Sequence, residues 1–165
     1  VAIALGSNLG DSLGIVTQAV QWLRDTAKLQ IVQQSAWYQT VPIGPPQPDY
    51  INGCIVVAFD AVDPPHPLEP DQLLALLLDL EQQFGRVRTE QWGARTLDLD
   101  LILWGSRVLQ TPELELPHPR FRERAFVLVP LAEILPDWQD PVSGLTIQQL
   151  CNRIDTQGVV RLPPA

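Results

Sequence analysis

Apolar alternation and helical spacing divide the chain into short elements before any chemistry is considered. Val1 to Leu5 is an apolar run ending in Gly6-Ser7-Asn8, which predicts a strand entering a turn. Leu13, Val16, Val20 and Leu23 recur at helical spacing behind Asp11 or Ser12, either of which can cap a helix there. Residues Gln30 to Gln39 predict a second strand and Tyr50 to Phe59 a third, joined by a Pro-rich loop from Val41 to Asp49. Loops of that length often carry function. A second Pro-rich connection, Asp60 to Glu69, leads into a helix with Pro70 and Asp71 in its first turn and a stop at Gly85. Its leucines lie on more than one side, which predicts a core helix. Thr96 to Trp104 alternates strictly at its start and predicts another strand, with Leu97, Leu99, Leu101 and Leu103 facing the core. Gly105-Ser106 turns into a short strand pair from Val108 to Leu116. Arg124 to Ile134 predicts a short helix, and Ile147, Leu150, Cys151 and Ile154 mark a C-terminal one.

The order strand, helix, strand, strand, helix, strand is that of a ferredoxin-like βαββαβ core in an α+β fold, here with an added hairpin and C-terminal helices. The 165 residues suit one domain spanning 1–165 with a substantial buried core. Folds of this type host enzymes and binding modules alike, so function must be read from side chains.

Composition removes several classes of function. No apolar run approaches the roughly 20 residues needed to cross a bilayer, and the N-terminus lacks the pattern of a signal or transit peptide. Cys54 and Cys151 are too few and too separated for a disulfide framework or a cysteine metal site. A cytoplasmic monomer with no membrane partner is expected. The net charge of −8 argues against nucleic acid as a partner. The placement of the bases says more than their total. Ten of the 11 are Arg, and six of these fall in two clusters: Arg86, Arg88 and Arg95, then Arg120, Arg122 and Arg124. Arginine favours bidentate contacts to phosphate or carboxylate, although any one of these could serve a surface ion pair instead.

Between the clusters runs Arg95-Thr-Leu-Asp-Leu-Asp-Leu-Ile-Leu103. In a strand, Asp98 and Asp100 point to the same face, roughly 6–7 Å apart at Cα. Two adjacent carboxylates repel, and bound Mg²⁺ relieves this by taking their oxygens together with substrate phosphates. The plainer reading is a solvated acidic face on an edge strand. Arginines on both sides favour a polyphosphate site. By contrast, Gly6-Ser7-Asn8-Leu9-Gly10 has neither P-loop nor Rossmann spacing and reads as a strand-to-helix turn.

The segments Gly85-Arg86-Val87-Arg88 and Trp92-Gly93-Ala94-Arg95-Thr96-Leu97-Asp98-Leu99-Asp100 resemble the signature of 6-hydroxymethyl-7,8-dihydropterin pyrophosphokinases. The resemblance extends over nearly the whole chain through the ALGSNLGD opening, Tyr38 to Gly44, Asp49 to Asn52, Pro117-His118 and Arg124-Ala-Phe126. It implies transfer of pyrophosphate from ATP to the hydroxymethyl group of a reduced pterin, releasing AMP, in folate biosynthesis. By the same resemblance, Asp98 and Asp100 would hold two Mg²⁺ ions. Arg86 and Arg95 would contact the phosphates from a closing loop that also carries Arg88 and Trp92. His118 and Arg124 would add contacts to the ATP phosphates. The pterin would stack between Tyr50 and Phe126, its polar edge read by Asn52 and by the backbone near Thr40 and Ile43. Glu81 matches an acidic position near the pterin pocket. Departures from the family pattern are Ala94 for a usual proline, Gln91 for a basic residue, Pro119 for an aromatic, Glu113 for an arginine and Leu78 for a glutamine. All concern nucleotide affinity or loop closure. Without the resemblance, two alternatives stay open: another metal-dependent nucleotide enzyme, or a non-catalytic binding module.

Overall fold

The computed structural model describes residues 1–42, 45–58, 68–85 and 96–164. Its elements run β1 (Ala2–Ser7), α1 (Ser12–Asp25), β2 (Gln30–Gln34), β3 (Tyr38–Thr40), β4 (Tyr50–Ala58), α2 (Pro70–Gln83), β5 (Asp98–Leu103), β6 (Leu109–Gln110), β7 (Glu115–Leu116), a 3-10 turn (Phe121–Glu123), α3 (Ala125–Ile134), α4 (Ile147–Cys151) and β8 (Val159–Arg161). The fold is α+β. Strands lie in the order β5-β1-β4-β3-β8, with β2 also paired to β4, and every pairing is antiparallel. The anticipated hairpin is β6 with β7.

The helix boundaries follow from local chemistry. Asp11 caps α1, its side chain accepting the Gly14 N–H. Glu69 and Gln72 form a reciprocal capping box before Pro70, and Gly85 ends that turn at φ +76°, where glycine carries no Cβ penalty. Only Leu73, Leu77 and Leu80 of the α2 leucines are buried, whereas Leu78 is exposed. The helix is therefore one-sided, because it lies on the surface of a single sheet rather than between two layers.

β1 explains how one sheet serves two purposes. Ile3 and Leu5 point to one face, packing with Val16, Val20 and Leu23 of α1 and with the buried leucines of α2. Ala2, Ala4 and Gly6 point to the other, where α3 and α4 bring Val127, Leu128, Leu131, Ile147 and Leu150. Burying each large side chain of these kinds contributes about 1.5–3 kcal/mol. Leu97, Leu99 and Leu101 join the first core as expected, but Leu103 belongs to the second. A bulge opposite Ala2 and Ile3 inserts one extra residue into β5, and the side-chain alternation flips beyond it.

The second strand is broken in two. Between β2 and β3 the ladder is carried by Ser35, whose N–H donates to the Cys54 carbonyl (2.9 Å) and whose Oγ accepts the Cys54 N–H (2.9 Å). The C-terminal helix is shorter than its apolar spacing suggests, and β8, which pairs with β3, has no counterpart in the hydrophobic pattern. Trp138 is exposed.

Candidate functional site

The functional face begins with what β1 lacks. Gly6 lies opposite Asp98 on one side and Asn52 on the other, while Ala4 lies between Asp100 and Cys54. These small residues leave a low floor between two taller rows. A Cβ on Gly6 would come within 2.6 Å of the Asn52 Nδ2, so only glycine lets that amide lie across the strand.

On one side of the floor stands the acidic pair. Asp98 and Asp100 share a face of β5, the terminal strand of the sheet, and both are partly exposed. The N–H of Leu99, the residue between them, donates to Oε2 of the buried Glu81 at 2.9 Å. Glu81 thus fixes the strand that carries the carboxylates. Among the described residues no cluster of three His, Cys, Asp or Glu side chains forms a complete metal cage. Two half-exposed carboxylates over a glycine-alanine floor fit Mg²⁺, a hard ion that keeps positions for phosphate oxygens and water.

Facing the pair are His118 and Arg124. The His118 N–H donates to the Ile102 carbonyl (2.8 Å), which pins the residue beside β5. Its Nδ1 accepts the Arg120 N–H at 3.1 Å, so the neutral ring carries its proton on Nε2. Burial, aided by the positive charges of Arg124 and Arg120 and opposed by Asp98, lowers its pKa to about 4. Arg124 lies 3.9 Å from Asp100, beyond hydrogen-bond length, and its guanidinium sits 5.6 Å from the centre of the Phe126 ring.

On the other side stand the aromatic and amide groups. Tyr50, Asn52, Tyr38 and Thr40 share this same face through their pairing in β3 and β4. The Thr40 hydroxyl donates to Oδ1 of Asn52 at 2.6 Å, and Nδ2 of Asn52 lies 3.4 Å from the Leu5 carbonyl. The amide is held buried with its orientation set. Phe126 opens α3 over the same face. The floor, the acids, the cations and the aromatic groups therefore occupy one end of one sheet face, where the packing of α3 and α4 gives way to polar side chains.

The family model for 7,8-dihydro-6-hydroxymethylpterin-pyrophosphokinase (HPPK) matches residues 2–136. The chain belongs to that family. A 2-amino-4-hydroxy-6-hydroxymethyldihydropteridine pyrophosphokinase of Synechocystis sp. is 47% identical over 162 residues, covering 98% of this chain and 80% of the relative. The enzyme of the same name from Pseudomonas aeruginosa is 39% identical over 166 residues, covering 100% of this chain and 98% of the relative. The fold is also similar to a solved Plasmodium falciparum HPPK-DHPS chain, with a TM-score of 0.72 at 14% identity. That match covers 97% of this chain and 48% of the longer one, so this chain spans about half its length.

Of the HPPK site residues expected from sequence, Thr40, Tyr50, Asn52, Asp98, Asp100, His118, Arg124 and Phe126 are brought to the one face. Ile43, Arg86, Arg88, Trp92 and Arg95 lie outside the described residues, as do Gln91 and Ala94. Arg122 belongs elsewhere. Its Nε and Nη2 donate to the buried Asp140 at 2.5 and 2.9 Å, a structural lock within the second arginine cluster.

Three contributors were not singled out by motif reading. Gly6 looks like part of a turn, but it is still in β1 and makes room for Asn52. Asn8, also taken for turn chemistry, sends Nδ2 to Oε1 of Gln47 (2.8 Å) and to the Pro48 carbonyl (3.0 Å), tethering the Pro-rich loop. The alternation of small Ala2, Ala4 and Gly6 with large Ile3 and Leu5 was the available signal, since it marks one face that must stay shallow. The third is Glu133 of α3, which accepts hydrogen bonds from the Tyr38 hydroxyl and the Ala36 N–H beside β3.

Proposed function

We propose that this chain transfers the pyrophosphoryl group of ATP to the hydroxymethyl oxygen of 6-hydroxymethyl-7,8-dihydropterin, giving the pterin diphosphate and AMP, as a step of folate biosynthesis. The observation that carries this reading is the placement of the Asp98/Asp100 pair and the Tyr50/Asn52/Phe126 group on opposite sides of the Gly6–Ala4 floor. An acceptor held by aromatic faces and an amide would thereby meet a phosphate chain held by cations. The antiparallel strand order β5-β1-β4 followed by β2 and β3, with α1 and α2 on one face, supports the ferredoxin-like reading of the core. The packing of α4 and β8 onto that same core supports a single domain over 1–165.

In this reading Tyr50 and Phe126 bracket the pterin ring, and Asn52 presents a donor and an acceptor to its polar edge with help from the backbone near Thr40 and Ile43. Two Mg²⁺ ions held by Asp98 and Asp100 would supply charge neutralisation at the phosphates. Arg124 adds a guanidinium to the same region. His118 acts as a hydrogen-bond donor through Nε2, because its Nδ1 is occupied and its pKa of about 4 makes it a poor base. Arg86, Arg88, Trp92 and Arg95 would complete the phosphate contacts from their loop. The hydroxymethyl oxygen then attacks the β-phosphorus in line and gives up its proton to solvent, the bond from that phosphorus to the α-phosphate oxygen breaks, and AMP departs with that oxygen. No described helix is long and apolar enough to cross a membrane. A cytoplasmic monomer acting on small molecules alone completes the proposal.

Chromatography of the products formed from ATP and Mg²⁺, with and without the dihydropterin, tests the reaction. AMP and a pterin diphosphate appearing only with the pterin are expected. ADP, free phosphate or turnover without the pterin would overturn the reading in favour of another nucleotide enzyme, and pterin binding without turnover would make the chain a binding module.

A further inference from the structure

The two walls of the pterin site come from different elements. Thr40 and Asn52 belong to the paired strands β3 and β4, whereas Phe126 is carried by the first turn of α3. Their separation is not set by the sheet alone. Near the far end of α3, Glu133 reaches back to the segment that begins β3. Its Oε1 accepts the Tyr38 hydroxyl at 2.5 Å, and its two oxygens accept the Ala36 N–H at 3.0 and 3.2 Å. Tyr38 is buried, pairs directly with Asn52 and precedes Thr40 by two residues on the same face.

We propose that Glu133 is a positioning residue of the pterin pocket, clamping α3 onto β3 so that Phe126 stands at a fixed distance from Thr40 and Asn52. The proposal rests on the pterin reading above and extends it to a residue that touches no substrate. Three features carry it. The contact is charge-assisted and made to both a backbone N–H and a side-chain hydroxyl, so it fixes the direction of approach as well as the distance. Burial and the hydrogen bond to Glu133 push the Tyr38 hydroxyl pKa up, which keeps it a donor at every physiological pH. Pro130 interrupts the hydrogen-bond ladder inside α3, so the helix relies on outside contacts to hold its course. The acidic pair stands on β5, separated from β3 by β1 and β4, so neither carboxylate is on a clamped element; on the nucleotide side only Arg124, the N-cap of α3, moves with the clamped helix.

The test uses Glu133→Gln and Tyr38→Phe in the full chain. Glu133→Gln keeps the shape but puts an amide donor where an acceptor oxygen stood, and Tyr38→Phe removes only the hydroxyl. Binding of 6-hydroxymethyl-7,8-dihydropterin is titrated in the presence of saturating Mg²⁺ and α,β-methylene-ATP, and binding of that ATP analogue is titrated separately. The KM for the pterin and its Kd should rise roughly tenfold in Glu133→Gln, with kcat at saturation and the analogue's Kd changed by about threefold or less, the share carried by Arg124 at the start of α3. Tyr38→Phe should show the same split more weakly, and the double variant should be no worse than Glu133→Gln, because both remove one shared interaction. Unchanged pterin affinity in both variants would overturn the clamp. So would a parallel loss of pterin affinity, analogue affinity and Tm, which would make Glu133 merely structural. A parent chain that binds no pterin would instead overturn the reading of the site itself.

Discussion

Arg122 and Arg124 are two residues apart in the same arginine cluster, and they do opposite things. Arg122 makes a bidentate pair with Asp140, whose carboxylate also accepts the N–H groups of Val142 and Ser143 and the Ser143 hydroxyl. Every oxygen lone pair that matters is taken inside the protein, and Asp140 is fully buried. Arg124 approaches Asp100 only to 3.9 Å, and the Asp100 side chain retains 31% of its exposure. A charge that is surrounded by short, well-aimed donors stabilises a fold, because its desolvation is offset locally. A charge held near an opposite one at longer range contributes less to the fold, and in the proposed reaction this guanidinium would turn to a phosphate. The first pair is spent on structure; the second keeps both groups at the partly exposed face of β5.

The largest effect is expected at β5, the strand proposed to hold the metal. Asp98→Asn removes one carboxylate charge from the open face, and Mg²⁺-dependent turnover should fall by about 10³-fold, the scale of losing a major transition-state charge contact. Near-normal turnover in a steady-state assay would remove Asp98 from the metal role. The next pair of variants inverts activity and stability. Arg124→Ala should lower kcat/KM by about 10²-fold with stability changed by about 1 kcal/mol or less. Asp140→Ala should cost about 3 kcal/mol and about 10 °C in Tm, while the folded fraction keeps its kcat. Thermal melts beside the assay would show whether the roles are separated in this way.

The smallest effect lies in the pH dependence. Burial pushes the Asp140 carboxyl up, but the hydrogen bonds from Arg122, Ser143 and Val142 outweigh it and hold its pKa at about 2, below the ordinary 3.8. The folded chain therefore binds fewer protons than the unfolded one in that window. This contribution to stability is complete above about pH 4 and fades as pH falls towards 2. His118 follows an upper window by the same sign. Its folded pKa of about 4 lies below the ordinary 6.5, so its contribution is complete above 6.5 and is lost as pH falls through 4. Urea unfolding from pH 7 to 2 should show both slopes. Asp140→Asn should erase the lower slope and His118→Gln the upper one. An NMR titration of His118 should be flat from pH 8 to about 5; a midpoint near 6.5 would contradict its buried neutral state.

The acidic pair was legible because strand alternation is strict: Asp98 and Asp100 share a face whatever surrounds them, and Leu97, Leu99 and Leu101 share the other. The same rule misplaced Leu103, since a bulge is set by pairing with β1 and not by β5 itself. The caps of α1 and α2 were legible for a similar local reason. Asp11, Pro70 and Gly85 act within one turn of their own position. Nothing local distinguished Arg122 from Arg124. Their difference depends on Asp140 arriving from a segment 18 residues later and on Asp100 arriving from β5.

Local pattern was enough for β1, α1, β4, α2 and β5, for the core-facing Leu97, Leu99 and Leu101, for the same-face carboxylates and, through the motifs, for the family. Those properties depend on backbone periodicity and short-range chemistry, which any chain of this sequence must express. Long-range packing was needed to make Gly6 a floor for Asn52, to bring Glu81 to the strand between the acids and Glu133 from α3 to β3, and to choose which arginine serves the fold. Each of these depends on side chains from distant segments meeting within hydrogen-bond or van der Waals distance, and no spacing along the chain encodes that meeting.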